Sequence, residues 1–383
     1  MADLRPQDYS IIWIAPLEIE AQAAIHMLDR RHNGRFPVSR GDDYVFQAGE
    51  MCGHNIVIAT LPAGQEYGTG SAAALASQAK KFFPNFWFGL LVGVAAGLPN
   101  LQRSPPRDIR LGDVLVSVPN VNRSGTVAYA LGRETGEEEL ELLRQGHVLA
   151  QTEPVVRAAI GSIKLNSPND SELFLPYYET MKNKLHPNRT FDDPGQEHDR
   201  LYQHGDDGVE SLVERQPRPD SQRTLVWYGS IGSGDKLMKN AARRDELRDK
   251  YDIIGLEMEA AGTMNRIPVG VIRAACDYGD KHKNKKWQPY AAAMAAAYAK
   301  AILSQIPPTP RPDRRDGQGR SRCRARDSTD SDSDSDEDSR NKRPKLDSTT
   351  GSTSRRDRII FRGQGNQNVG SGSISIGGGQ YFH

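Results

Sequence analysis

The most informative stretch of this chain is Tyr251–Gly262, YDIIGLEMEAAG. Its first half is a short apolar run that is typical of a buried strand, and its second half holds small residues that suit the start of a helix. Two carboxylates, Glu257 and Glu259, flank Met258 where the halves meet. Glutamates often serve only solubility, but carboxylates among apolar neighbours are seldom fully buried without a partner. The stretch therefore predicts a site for a ligand with hydroxyl donors, such as a sugar diol.

Apolar strands alternate with helical segments along residues 1–306. The predicted strands are Ser10–Ile14, His54–Leu61, Phe86–Val94, Asp113–Val118, Thr224–Ile231, Ile253–Glu257 and Pro268–Cys276. The predicted helices are Leu17–Leu28, Ser71–Phe83, Lys239–Lys250 and Tyr290–Ile302. This alternation is typical of an α/β fold, so we expect a three-layer sandwich with a central mixed sheet. The region Pro119–Gln222 is richer in charge and proline, and we expect two or three helices and long loops there.

The composition changes sharply after Ile306. Residues 307–357 consist largely of Pro, Arg, Ser and Asp, and a segment with so few large apolar side chains cannot offset the entropy of ordering by burial. We therefore predict three parts: a folded α/β catalytic domain at residues 1–306, a disordered charged linker at 307–357, and a segment rich in Gly, Asn and Gln at 358–383.

The overall composition argues against several classes of protein. The 383 residues carry a net charge of +1, so no global field favours nucleic acid or a membrane surface. The three cysteines are widely spaced, and none forms a zinc-site pattern. The opening MADLRPQDYS lacks the pattern of a secretory signal, and the longest apolar run is too short to span a bilayer. We expect a cytoplasmic protein, with the nucleus as an alternative because of short basic runs at 320–326 and 342–345.

The turn after the first strand contains two glutamates, Glu18 and Glu20. Open α/β sheets bind ligands at the carboxyl ends of their strands, and Glu20 lies one helical turn beyond such an end. The alternative interpretation is an exposed first-turn glutamate that the helix dipole stabilises.

A glycine turn is predicted at Val92–Gly97, directly after a buried strand. Glycine permits a positive φ and a close approach between the backbone and a ligand, so Gly93 and Val94 are candidate binding residues. An ordinary strand-to-loop turn is the alternative.

Asp277 follows the last predicted strand, and the basic run Lys281–Trp287 comes directly after it. An acid at the ligand edge of a sheet is suited to general-acid chemistry, although a turn or helix-cap aspartate would look the same. The lysines of the run, Lys283 and Lys285 among them, either form a solvated face or meet a phosphorylated ligand.

Together these motifs resemble those of the nucleoside phosphorylase and nucleosidase superfamily, which includes the methylthioadenosine/adenosylhomocysteine nucleosidases. The resemblance spans roughly Tyr9–Leu303 and is closest at the two ends. The run DKHKNKKWQPYAAA, Asp280–Ala293, is similar to fungal members that are joined to signalling modules. The resemblance implies an enzyme that cleaves the N-glycosidic bond of a purine nucleoside or nucleotide.

The resemblance also implies a role for each acid. Glu20 would activate water as the general base, and Asp277 would protonate the purine as it leaves. Glu259 would hold the ribose hydroxyls, with Met258 packed on the sugar and Glu257 in support. The resemblance implies no metal or organic cofactor. In the family, residues that stack on the base usually come from the middle region of the chain. We also expect a homo-oligomer.

Several alternatives remain open at this stage. In the superfamily the glycine turn lines the ribose and the pocket for water or phosphate, but Val94 stands where phosphorylases often have a hydroxyl residue, and their Gly-Asp-Pro-x-Arg pattern is missing. Hydrolysis is therefore favoured over phosphorolysis. If the lysines after Asp277 meet a 5′-polyphosphate, the substrate is ATP, as in immune-effector relatives. A catalytically silent nucleotide-binding module that assembles through its tail is the third hypothesis.

The tail contains a pattern suited to assembly. Residues 358–383 combine Asn, Gln and Gly with an alternating Ser-Ile-Ser-Ile, which favours stacked in-register strands. The segment resembles short amyloid-forming motifs through which fungal sensor proteins recruit effectors. A disordered glycine-rich tail is the alternative.

Overall fold

The computed structural model describes residues 3–64, 67–134, 140–187, 189–204 and 209–308. The predicted linker beyond residue 308 and the predicted assembly segment lie outside the described residues. All described residues belong to the unit Met1–Asp313.

The described chain alternates strands and helices much as the sequence predicts. The strands are β1 (Ile11–Ile14), β2 (Arg30–Arg31), β3 (Gln47–Met51), β4 (His54–Ala59), β5 (Phe88–Gly97), β6 (Val114–Ser117), β7 (Thr126–Ala128), β8 (Gly132–Glu134), β9 (Leu140–Leu142), β10 (Leu201–His204), β11 (Glu210–Val213), β12 (Val226–Ser233), β13 (Ile253–Glu257) and β14 (Val269–Asp277). The helices are α1 (Glu18–Met27), α2 (Thr69–Phe82), α3 (Pro154–Lys164), α4 (Leu175–Met181), α5 (Ala241–Tyr251), α6 (Ala260–Met264) and α7 (Gln288–Gln305).

One large mixed sheet organises these elements. Its order is β13-β12-β6-β14-β5-β1-β4-β3-β2, and β7 pairs with β12. Strands β4, β1, β5 and β14 are parallel, whereas β6 is antiparallel to β14 and β3 is antiparallel to β4. The mixed sheet between helices confirms the predicted α/β three-layer class.

The topology brings the candidate residues to one edge of the sheet. Because β1, β5 and β14 are parallel neighbours, their carboxyl ends lie together. Strand β13 pairs antiparallel with the end of β5, with Gly255 opposite Gly97 and Leu256 opposite Ala96. The chain that leaves β13 is therefore carried back over the same edge, and it brings Glu257 and Glu259 there.

The hydrophobic core is built around β1 and α7. All four residues of β1 are buried, as expected for a strand covered on both faces. Helix α7 is buried from Tyr290 to Leu303 and packs on β5, β14, α1, α3 and α4. Its many alanines explain this, because a helix that is apolar all round is stable only in the interior. In the described ranges, no helix has the length and apolar character needed to cross a bilayer.

Three features differ from the sequence-based expectations. The predicted glycine turn at Val92–Gly97 is wrong, since β5 continues to Gly97 and pairs with β14 along that length. The short pair β2–β3 was not predicted, because Gln47–Met51 lacks the apolar alternation of a strand. The middle region contains the two helices α3 and α4, as predicted, but also the short strands β7 to β11.

Candidate active site

Arg273, in the middle of β14, gathers three acids that are far apart in the sequence. The residue is 0% exposed. Its Nη2 lies 2.5 Å from Glu257 Oε2 and 2.9 Å from Glu259 Oε2. Its Nη1 lies 3.6 Å from Glu20 Oε1. A single buried cation therefore contacts three carboxyl groups, and it compensates the charge of those that are ionised, as buried charges require.

Glu20 is held by backbone donors on two sides. Leu17 N donates to Oε2 at 2.8 Å, and Val94 N donates to Oε1 at 2.8 Å. The residue is 3% exposed, so the alternative of a solvated first-turn glutamate is wrong. Burial raises the pKa of Glu20 above its ordinary value, against the opposing effect of the Arg273 guanidinium. A carboxylate with a raised pKa is suited to accept a proton near neutral pH.

Gly93 contributes by being small rather than by turning the chain. It lies inside β5 with no positive φ. A Cβ at this position would lie 1.9 Å from Glu20 Oε1 and 2.7 Å from Arg273 Nη1. Only glycine therefore allows the Glu20 carboxylate to lie against the strand and to accept the hydrogen bond from Val94 N.

Glu257 and Glu259 have different surroundings although they are two residues apart. Glu257 Oε2 accepts hydrogen bonds from Glu259 N at 3.0 Å and from Ala260 N at 2.9 Å, in addition to its contact with Arg273. Glu259 lines the cavity described below. Burial raises the pKa of Glu259 to about 8, against the opposing effect of Arg273. Both acids border that cavity, but the Glu259 side chain is 9% exposed and that of Glu257 is 0% exposed. Glu259 is thus the more accessible acid of this pair, while Glu257 supports the turn into α6.

Asp277, at the end of β14, is paired with a lysine. Lys283 Nζ lies 2.8 Å from Asp277 Oδ2, and Gly279 N donates to Oδ1 at 2.8 Å. The Cys276 thiol also donates to Oδ2, at 3.2 Å. Asp277 therefore forms a turn with the backbone, in line with the alternative interpretation, and it also holds a half-buried ion pair at the edge of the sheet.

A cavity of about 520 Å³ brings the predicted residues together. Among the candidates it is lined by Glu20, Val94, Glu257, Met258, Glu259 and Asp277. Gly93 does not line it and acts through Glu20, as described above. The volume is in the range of small-molecule sites.

Leu237 and Met238 supply apolar surface to the cavity. They follow β12 in a loop that is tied to α2, because Thr69 N donates to Asp235 Oδ1 at 2.6 Å. From the described part of 119–222, His186 and Pro187 line the cavity. The apolar surface of the cavity thus comes from several elements, including the loop after β12 and, from the middle region, Pro187.

The basic run after Asp277 divides into two groups. Lys283 and Lys285 line the cavity. Lys281 and His282 instead contact Glu210 Oε2, at 3.0 Å and 2.9 Å. The run is therefore only partly a solvated face.

Solved structures of other proteins share this architecture. Futalosine hydrolase of Helicobacter pylori superimposes with a TM-score of 0.52 at 15% identity, over 78% of this chain and 98% of that one. The 5′-methylthioadenosine/S-adenosylhomocysteine nucleosidase of Neisseria meningitidis gives a TM-score of 0.51 at 17% identity, over 78% of this chain and 99% of that one. The chain has the nucleoside phosphorylase and nucleosidase fold.

Most of this chain is similar to part of a fungal protein. It is a nucleotide-binding leucine-rich repeat (NLR)-like protein of Hyaloscypha variabilis, 36% identical over 311 residues, which is 80% of this chain. The chain spans about 30% of the length of that curated relative. The chain matches no protein-family model. This relative is consistent with the expected link to fungal signalling proteins.

Within the nucleosidase fold, sequence analysis did not identify Arg273 as a site residue. A signal was present, because Arg273 is the one charged residue between Val269 and Cys276 in an otherwise apolar strand. A buried charge in such a strand needs an acidic partner. In the described part of the chain, no group of three or more His, Cys, Asp or Glu side chains could hold a metal ion.

Proposed function

We propose that the chain is a purine nucleoside or nucleotide N-glycosidase that hydrolyses the bond between base and ribose. The observation that carries the proposal is the convergence of Glu20, Glu259 and Asp277 on one cavity, with the buried Arg273 in contact with both glutamates. The nucleosidase fold supports it, because solved structures with the same architecture include nucleosidases.

Each acid is placed for a separate part of the reaction. Glu20, with its raised pKa, takes a proton from the attacking water. Glu259 accepts hydrogen bonds from the ribose hydroxyls, and Met258 covers the sugar. Asp277 passes a proton to the purine as the C1′–N9 bond breaks, which makes the base a better leaving group.

The surroundings of Arg273 favour water over phosphate as the acceptor. A phosphate dianion needs positive charge or several N–H donors. Arg273 already contacts Glu257 and Glu259 at 2.5 and 2.9 Å, and Val94 offers no side-chain hydroxyl. Phosphorolysis remains the second reaction, and turnover measured with and without inorganic phosphate separates the two.

We infer that the preferred substrate is a nucleotide with a 5′-polyphosphate, such as ATP. The exposed side chains of Lys236 and Lys285 line the cavity, and they would meet phosphate oxygens as charge-assisted donors. We expect Lys285→Glu to lower kcat/KM for ATP about tenfold or more and to leave adenosine cleavage within about twofold. Lys286→Glu, an exposed neighbour outside the cavity lining, is the matched control. Equal losses on ATP and adenosine would remove the phosphate assignment.

Chromatography of adenine release tests the reaction itself. Adenosine, methylthioadenosine, AMP and ATP are offered to the wild type and to Glu20→Gln. We expect base release from at least one of them, and a loss of about 10²-fold or more in the variant. If Glu20→Gln matches the wild type, the catalytically silent binding module becomes the better assignment.

We propose that the enzyme works within a fungal signalling or immune protein assembly. The support is the NLR-like relative, of which the chain spans about 30%. The assembly segment 358–383 lies outside the described residues, and its role stays a prediction. Fibrils of the isolated segment with a cross-β reflection at about 4.7 Å would support the assembly role, and a segment that stays monomeric would contradict it.

A further inference from the structure

Lys283, which is half-buried, forms an ion pair with the proposed general acid. Its Nζ lies 2.8 Å from Asp277 Oδ2, and the two side chains are 21% and 3% exposed. An aspartate that is held by an ammonium and by Gly279 N is bound as a carboxylate. A carboxylate has no proton to give to a departing purine, so the proton has to come from a neighbour.

The Asp277–Lys283 pair borders two cavities. A second cavity, of about 220 Å³, adjoins the first, and Cys276, Asp277 and Lys283 line both. Its other lining residues are mainly polar, and they include Arg200, Asp280, His282 and Asn284. A polar cavity of this size has room for water molecules. The pair thus forms a wall between the substrate cavity and a second, polar compartment.

We propose that Lys283 is the source of the proton that Asp277 passes to the departing base, and that the second cavity resupplies it. The inference rests on the proposed N-glycosidase function. Lys283 acts through Asp277 in this step and is therefore a positioning and proton-supplying residue for the acid.

The step balances in atoms and charge. The C1′–N9 bond breaks, and its electron pair moves to the purine. Asp277 takes a proton from Lys283 and passes it to purine N7, so that Asp277 is a carboxylate again and Lys283 becomes a neutral amine. The water oxygen bonds to C1′ while its proton moves to Glu20. Exchange with solvent then returns the proton from Glu20 to water and a proton from water to Lys283.

The negative charge that develops on the purine drives the proton transfer from Lys283 through Asp277. Burial, the largest single effect, acts to lower the pKa of Lys283, but Asp277 together with Cys276 and Tyr67 outweighs it and the net shift is upward. Lys283 therefore keeps its proton until negative charge grows on the purine beside Asp277. If Lys283 acted only as a positive charge beside Asp277, it would keep its proton throughout the reaction. A substitution that keeps the charge but cannot release a proton separates the two roles.

Two substitutions of Lys283 separate charge from proton supply. Lys283→Arg keeps a cation next to Asp277, but a guanidinium does not deprotonate in proteins. Lys283→Met removes both the charge and the proton. We expect each to lower the rate of base release from the cleaved nucleoside about 10²-fold. Lys286→Met, an exposed lysine of the same run, should keep the wild-type rate.

An N7-methylated version of the same nucleoside supplies the second readout. Its purine already carries a positive charge and leaves without taking a proton. We expect Lys283→Arg and Asp277→Asn to cleave it within about threefold of the wild-type rate, which a merely structural defect would not allow.

The outcomes distinguish this inference from the proposed function. Wild-type activity of Lys283→Arg on the ordinary nucleoside would overturn the proton supply and leave the N-glycosidase assignment intact. Equal losses on both nucleosides would also overturn it, since they show a damaged site. No base release by the wild type from any purine nucleoside or nucleotide would overturn the function and the inference together.

Discussion

At the scale of single residues, Gly93 controls the position of the general base. A Cβ there would lie 1.9 Å from Glu20 Oε1, so Gly93→Ala has to displace the Glu20 carboxylate from Val94 N. We expect base release to fall about 10²-fold and the free energy of unfolding to fall by about 1–3 kcal/mol. Gly70→Ala, where nothing lies within 4 Å of the new Cβ, is the control. An active Gly93→Ala would contradict the assignment of Glu20.

A second residue-scale prediction concerns Glu259 and pH. Its pKa of about 8 in the folded protein lies above the ordinary 4.5. The folded state therefore keeps a proton that the unfolded chain releases, and the stability from that proton is complete below pH 4.5 and is lost as the pH rises through 8. Glu259→Gln removes this loss, which amounts to at most about 1.4 kcal/mol per pH unit.

Denaturant unfolding at a series of pH values measures the effect of Glu259→Gln. Burial also raises the pKa of Glu20, so the variant should show a shallower decline in stability with pH rather than none. A decline as steep as that of the wild type would show that Glu259 does not hold the proton.

At the scale of elements, the close contact between α2 and α6 fixes the acid-bearing turn. A Cβ on Gly262 would lie 1.8 Å from Thr69 O, a backbone atom that cannot move away cheaply. We expect Gly262→Ala to lower the free energy of unfolding by about 3 kcal/mol or more. Gly161→Ala in α3, where the Cβ meets nothing within 4 Å, should instead stabilise by about 0.5–1 kcal/mol. Thermal unfolding of both variants checks the contrast.

The elements also show what sequence could predict. Strands such as β1 and β13 and helices such as α1 and α7 follow from apolar periodicity, and the placement of Glu20, Glu259 and Asp277 at strand ends follows from the α/β rule. The pairing of Arg273 with Glu257 and Glu259 depends on β13 crossing the end of β5 in the antiparallel direction. That crossing is a tertiary property, and no local pattern encodes it.

The same limit explains the error at Val92–Gly97. Glycines in a run suggest a turn, because they permit a positive φ. Here, however, Gly93 and Gly97 stay in β5 and leave space for side chains of other elements. Local sequence does not distinguish a glycine that turns the chain from one that makes room for Glu20.

At the scale of the whole molecule, the described domain should fold without the tail. Its last helix ends in a contact with the sheet, since His54 Nε2 lies 2.9 Å from Ile306 O and Ile306 is buried. We expect a protein of residues 1–308 to keep the Tm and the base-release rate of the full chain. A protein ending at Leu303 leaves His54 buried without this partner and loses Ile306, so its free energy of unfolding should fall by about 2–5 kcal/mol. Calorimetry of the three proteins checks both statements, and a marked loss of stability in 1–308 would show that the tail takes part in the fold.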